Sequence, residues 1–117
     1  MEFLSREFDP VNKVYPVNLV IQSPASKLAG YDASKTGLFK TVNLTFDPTA
    51  DFHEYRFDYA PNSVSFYADG QLMKTWADGL PRTSMHLMLN TWFPTWLDGR
   101  RPKKTVHTYV DWIRFVQ

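Results

Sequence analysis

Asn90 and Trp92 stand two residues apart in "LMLNTW", so on a strand they share a face. Trp96 follows in "TWFPTWLDG", and Asn18 is the polar residue of the apolar stretch "YPVNLVIQ". Glu2 lies at the start of another short stretch that reads as strand. The indole of a tryptophan stacks on the apolar C–H face of a pyranose ring, and side-chain amides orient its hydroxyls. A carboxyl beside such a platform can protonate a leaving oxygen or attack a carbon. The same tryptophans would serve equally well as core residues, and composition alone does not separate the two uses.

Other chemistries are poorly supplied. The chain has no cysteine, which removes disulfides, thiolate nucleophiles and thiolate zinc sites together. Its three histidines, His53, His86 and His107, are not paired at metal-ligand spacing, and no metal site or cofactor is expected. There is no glycine-rich phosphate loop, and no serine or threonine sits in a nucleophile elbow. The net charge of +1 gives no bulk attraction to nucleic acid or to an anionic membrane, so neither is expected as a partner. The basic cluster "GRRPKK" (99–104) reads as a solvated loop before it reads as a polyanion patch. No apolar run approaches the ~20 residues that span a bilayer. Glu2, Arg6, Glu7 and Asp9 interrupt any signal-peptide core in this chain. The triplet Asn43-Leu44-Thr45 is a glycosylation sequon that would matter only in a secreted protein.

The elements that would position these residues follow a period of two. "FHEYRFDYA" (52–60) puts Tyr55, Phe57 and Tyr59 on one face and Glu54, Arg56 and Asp58 on the other. In "NSVSFYADGQLMKTW" (62–76), Asp69-Gly70 between two apolar runs predicts a tight hairpin. "SMHLMLNTW" (84–92) and "VHTYVDWIRFV" (106–116) read as two more strands, the last apolar on both faces and so central. "VYPVNLVIQ" (14–22), "LFKTVNLTF" (38–46) and the opening "MEFLSREF" complete the set. Pro16 predicts an edge, a bulge or a strand start. "ASKLAGYDASKTG" (25–37) has room for a turn or a short helix. Six or seven short strands punctuated by turns mean an all-β fold, an antiparallel β-sandwich or barrel.

Four blocks carry a resemblance: "MEFLSREFD", "FHEYRFDYAPNSVSFYADGQLMKTW", "MHLMLNTWFPTW" and "YVDWIRFVQ". In this order they resemble glycoside hydrolase family 16, the laminarinases, licheninases and transglycosylases, and the wording is most similar to fungal members. The resemblance implies a partial concanavalin A-like jelly roll. It implies that residues 1–117 are the C-terminal part of a catalytic domain that starts inside the catalytic strand. The parent domain would hydrolyse O-glycosyl bonds of β-glucans with retention, as an endo-β-1,3- or β-1,3-1,4-glucanase. The partner would be a β-glucan polysaccharide or oligosaccharide, and the location extracellular or cell wall. A non-catalytic carbohydrate-binding module of the same fold is the alternative.

The family signature, Glu-x-Asp-x-Glu running into Phe-Leu, matches here only at its end. Glu2 in "EFL" matches the general acid/base, and the aspartate and nucleophile positions would precede residue 1. Glycosidases of this type need two carboxyl groups, so the resemblance implies that this fragment is inactive without the N-terminal half of the domain. Asn18 is similar to a sugar-contacting asparagine of the next strand, although its connection to Glu2 is longer than in licheninases. Asn90 and Trp92 are similar to an Asn-x-Trp pair that lines the cleft floor. Trp96 and Asp98 fall in a variable cleft-side loop. His53 fits a Phe-His-x-Tyr block in a packing role, and Tyr59 stands where many members carry tryptophan.

Overall fold

The computed structural model describes residues 1–83, 87–94 and 104–117 of the 117-residue chain. It divides into two compact units, Met1–Thr83 and Ser84–Gln117.

The first unit is a pair of antiparallel sheets. Strands β1 (Glu2–Phe3), β2 (Pro16–Val20) and β3 (Phe39–Asn43) pair in that order. Strands β4 (Tyr55–Ala60), β5 (Ser63–Ala68) and β6 (Gln71–Trp76) form the second sheet, also in order. Alternation sends Val17 and Leu19 of β2 inward, where both are 0% exposed. Val64, Phe66 and Ala68 of β5 meet them in one apolar cluster with Tyr15, Ile21, Leu38 and Leu44. The Phe3 and Tyr55 rings stand edge-to-face at 4.8 Å and tie one sheet to the other. The predicted face of Tyr55, Phe57 and Tyr59 pairs with Ala68, Phe66 and Val64, so the period-two reading holds through β4 and β5.

Local chemistry fixes the strand ends. Ala68 pairs with Gln71, leaving Asp69-Gly70 as a two-residue loop with φ of 47° and 76°. Two left-handed residues in succession make the primed turn whose twist suits a hairpin, and Asp-Gly is a preferred pair for it. Pro16 stands at the start of β2, a position that tolerates its missing N–H, and its carbonyl accepts from the Leu4 N–H at 3.2 Å. Its cross-strand partner Asn43 extends the pairing by side chain. Oδ1 of Asn43 accepts from the Tyr15 N–H, and Nδ2 donates to the Lys13 carbonyl at 3.3 Å. The sequon asparagine is thus already engaged in holding the β2 entry. The run 25–37 yields a short helix, α1 (Pro24–Leu28), with a Ser23–Ser26 capping box and Pro24 in its first turn, and then a 3₁₀ turn, Ala33–Lys35.

His53 closes one end of this unit. Its ring stacks on Phe46 with centroids 3.9 Å apart. Nδ1 lies 2.8 Å from the Asp69 carboxylate, and Nε2 lies 3.3 Å from the Asp47 carbonyl oxygen. The other Asp69 oxygen accepts from the Glu54 N–H at 2.9 Å. The β5–β6 turn is therefore tied to the segment that enters β4. Partial burial pushes the Asp69 carboxyl up, but the bonds from His53 and Glu54 outweigh it and hold it below its ordinary range. Tyr55 beside it is pushed up to about 12 by burial and then by the Asp69 charge. His53 packs and bridges, which is the role its sequence block implied. Tyr59 also finds a use for its hydroxyl, which donates to the Pro81 carbonyl.

In the second unit the described residues, 87–94 and 104–117, form neither helix nor strand. This corrects the strands expected at 84–92 and 106–116; residues 84–86 of the first lie outside the described residues. Alternation marks side chains that want a covered face, and a strand also needs a neighbour for its backbone. Leu87, Leu89, Tyr109, Trp112 and Phe115 are all more than half exposed. The two segments do touch, through the Thr91 and Thr108 hydroxyls at 3.1 Å.

Two outcomes check this packing. Leu19→Ala lowers unfolding stability by about 3 kcal/mol, read as a fallen urea midpoint, whereas Leu28→Ala at an exposed position changes it by less than about 0.5 kcal/mol. The lowered Asp69 carboxyl contributes stability above the unfolded carboxylate range and loses it as pH falls below about 4. Asp69→Asn is therefore less stable than the parent chain at pH 7, and the gap between the two urea midpoints narrows as pH falls below the unfolded carboxylate range; a gap independent of pH contradicts the assignment.

Candidate functional site

Register brings three polar residues into one row. Glu2 on β1 pairs with Asn18 on β2, and Asn18 pairs with Thr41 on β3. The adjacent row, Phe3, Val17 and Val42, belongs to the alternate face, and Val17 and Val42 pack in the core. Glu2, Asn18 and Thr41 therefore lie on the sheet face turned away from the core. Asn18 Nδ2 donates to Glu2 Oε2 at 3.2 Å, and the Thr41 hydroxyl donates to Asn18 Oδ1 at 2.8 Å. Asn18 is only 5% exposed, so its amide depends on these two partners more than on water.

The connection from β1 to β2 explains how the pairing survives its length. Asp9 and Val14 exchange backbone bonds at 2.8 and 2.9 Å, closing a small loop. Asp9 Oδ1 accepts from the N–H groups of Val11 and Asn12 at 3.0 and 3.1 Å, and Oδ2 accepts from Asn12 Nδ2 at 2.6 Å. Bonds from Asn12 and Val11 outweigh slight desolvation and hold the Asp9 carboxyl below its ordinary range. Extra chain folds onto itself in residues 9–14, and Glu2 still meets Asn18. Asp9 is occupied by its own turn, as an Asx-type residue is. Glu7 ends the 3₁₀ turn Ser5–Glu7 and is exposed.

The row brings together two of the residues singled out from sequence, Glu2 and Asn18. Asn90 and Trp92 belong to the second unit, where both are exposed, Trp92 by 54%. Trp96 and Asp98 lie outside the described residues, as does all of the basic cluster except Lys104. Thr41 was not singled out, because its partnership with Asn18 spans 23 residues and depends on β2–β3 register. No group of three or more histidine or acidic residues that could hold a metal ion occurs among the described residues. Chemically, the row offers one carboxyl group held by an amide donor, which is what a proton donor and acceptor at a fixed position needs.

Known proteins share this sequence pattern. The beta-glucanase of Bacillus subtilis (strain 168) is 35% identical over 82 residues, covering 67% of this chain and 34% of that protein. The beta-glucanase of Bacillus amyloliquefaciens is 34% identical over 80 residues, covering 65% and 34%. That of Acetivibrio thermocellus is 35% identical over 77 residues, covering 60% and 23%. The chain thus spans about a third or less of the length of these curated relatives. No solved structure gives a significant match. The family model for glycosyl hydrolases family 16 matches residues 25–114, most of the length, and the chain belongs to that family.

Proposed function

We propose that this chain supplies the proton-donor side of a retaining β-glucan hydrolase, with Glu2 as general acid/base. The observation that carries the proposal is the Glu2–Asn18 bond in a row on the sheet face away from the core. Homology to beta-glucanases supplies the substrate class. Glu2 would protonate the glycosidic oxygen as the bond to the anomeric carbon breaks, while a second carboxylate attacks that carbon. In the second step the Glu2 carboxylate would take a proton from the incoming water, whose oxygen displaces the enzyme carboxylate. Asp9 is committed to its turn and is not proposed as the attacking carboxylate. An endo-β-1,3- or β-1,3-1,4-specificity, and an extracellular or cell-wall location, belong to the same proposal.

Asn18 holds the carboxyl, and with its amide nearly enclosed it acts on the sugar through Glu2. Asn90, Trp92 and Trp96 are proposed to floor the glucan groove, the indoles by stacking and the amide by orienting hydroxyls.

A chimera tests the reading. The part of the Bacillus subtilis relative that precedes its match is joined to this chain, and reducing-sugar release from laminarin and lichenan is measured. The chimera hydrolyses glucan, the chain alone releases nothing, and Glu2→Gln in the chimera lowers kcat by roughly 10²–10⁴-fold. Undiminished hydrolysis by the Glu2→Gln chimera removes Glu2 from the role. In the same chimera, Trp92→Ala weakens gluco-oligosaccharide binding by about tenfold in a tryptophan-fluorescence titration. Unchanged affinity would take Trp92 out of the groove.

A further inference from the structure

We propose that Thr41 is a positioning residue for Glu2, acting through Asn18. The inference rests on the reading of Glu2 as the acid/base. An asparagine amide has two faces of opposite character, a donor and an acceptor, and nothing in its shape fixes which way it points. Here the donor face is turned toward Glu2 Oε2. The carbonyl oxygen of Asn18 is then left pointing the opposite way, across β2 toward β3. At 5% exposure, water is a poor substitute partner there.

Thr41 fills that need. Register places it directly beside Asn18, and its hydroxyl donates to Oδ1 at 2.8 Å. That is an ordinary O–H···O length, whereas the 3.2 Å bond from Nδ2 to Glu2 is at the long end for N–H···O, so the threonine bond is the one with full geometry. Withdrawal of electron density at Oδ1 also strengthens Nδ2–H as a donor, because linked hydrogen bonds polarise one another. β1 contributes only two residues of ladder to the sheet; its register sets the row Glu2 occupies, and the bond from Asn18 holds the carboxyl at the end of that side chain. The Thr41 hydroxyl, two side chains away, thereby helps decide where the carboxyl points. Thr41 is itself exposed, on a strand with no neighbour beyond it among the described residues, so its side chain can be changed without opening the core.

The test uses the chain as it stands and reads the Asn18 side-chain amide by ¹H–¹⁵N NMR. Thr41→Val keeps the branched shape and removes the donor. The Asn18 Nδ2 protons are expected to shift and to exchange with solvent on the order of five- to tenfold faster, as loss of one such hydrogen bond allows. Thr41→Ser restores the donor and is expected to return both signals to their original positions and rates. Thr41→Ala repeats the deletion without the branch, so a packing fault of valine cannot pass for a lost bond. Backbone amides of Val17 and Leu19 monitor the sheet in every variant. Asn18 signals in both deletion variants that match the parent chain overturn the proposal, and so does a Thr41→Ser variant that behaves like Thr41→Val. Failure of the catalytic reading shows elsewhere, as a chimera indifferent to Glu2→Gln, and leaves the Asn18 signals as they were.

Discussion

The site depends on the register of a very short strand. β1 is two residues long, and its pairing with β2 is what puts Glu2 opposite Asn18 and Phe3 opposite Val17. A slip of one residue would exchange those faces, sending the carboxyl toward the core and the phenyl ring toward solvent. Two contacts oppose that exchange. Phe3 meets Tyr55 of the other sheet edge-to-face, and Val17 is completely enclosed. The slip would also part the Glu2 carboxyl from the Asn18 amide. The apolar row therefore sets the orientation of the polar row, and sheet-to-sheet packing reaches the chemistry through a single residue step.

The rest of the first unit protects that register from its ends. The loop at residues 9–14 closes on Asp9, so the length between β1 and β2 does not pull on the pairing. Asn43 holds the entry to β2 by accepting from the Tyr15 N–H and donating to the Lys13 carbonyl. In the second sheet, Asp69 supplies both the left-handed turn and the carboxylate that holds His53 and the Glu54 N–H. Tyr15 shows the same economy. Its ring lies in the core, and its phenol reaches the Asp47 carboxylate; burial first, then that charge, push the phenol up. Polar side chains in this family member stabilise the edges of the sandwich, where backbone groups run out of partners.

How legible this was depended on the range of the interaction. The Asp69-Gly70 hairpin and the common face of Tyr55, Phe57 and Tyr59 follow from residues close in sequence, and both appear as the alternation predicted. The use of Pro16 as a strand start was one of three readings open from the residue alone, and β2 selects it. Thr41 was invisible because threonine in "FKTVN" looks like any strand residue until register sets it beside Asn18. The segments at 84–92 and 106–116 misled for the opposite reason. Their apolar content is real, but the described residues carry it exposed and outside any ladder. Period-two patterning states which face would be buried and says nothing about whether a partner strand is there to bury it.

Family and site rest on different parts of the chain. The family match runs from residue 25 to 114, so it covers β3 through β6 and most of the second unit, and it leaves out both Glu2 and Asn18. Membership establishes the architecture, mostly antiparallel β in a partial concanavalin A-like jelly roll, yet it assigns no role to either residue. What joins the two parts is β3, the one strand of the first sheet inside the match, and the residue on it that bonds to Asn18 is Thr41. The polar row thus runs from the family-matched part of the sheet out to the carboxyl group. Fold alone does not specify chemistry, and here the link between them is a chain of two hydrogen bonds across three strands.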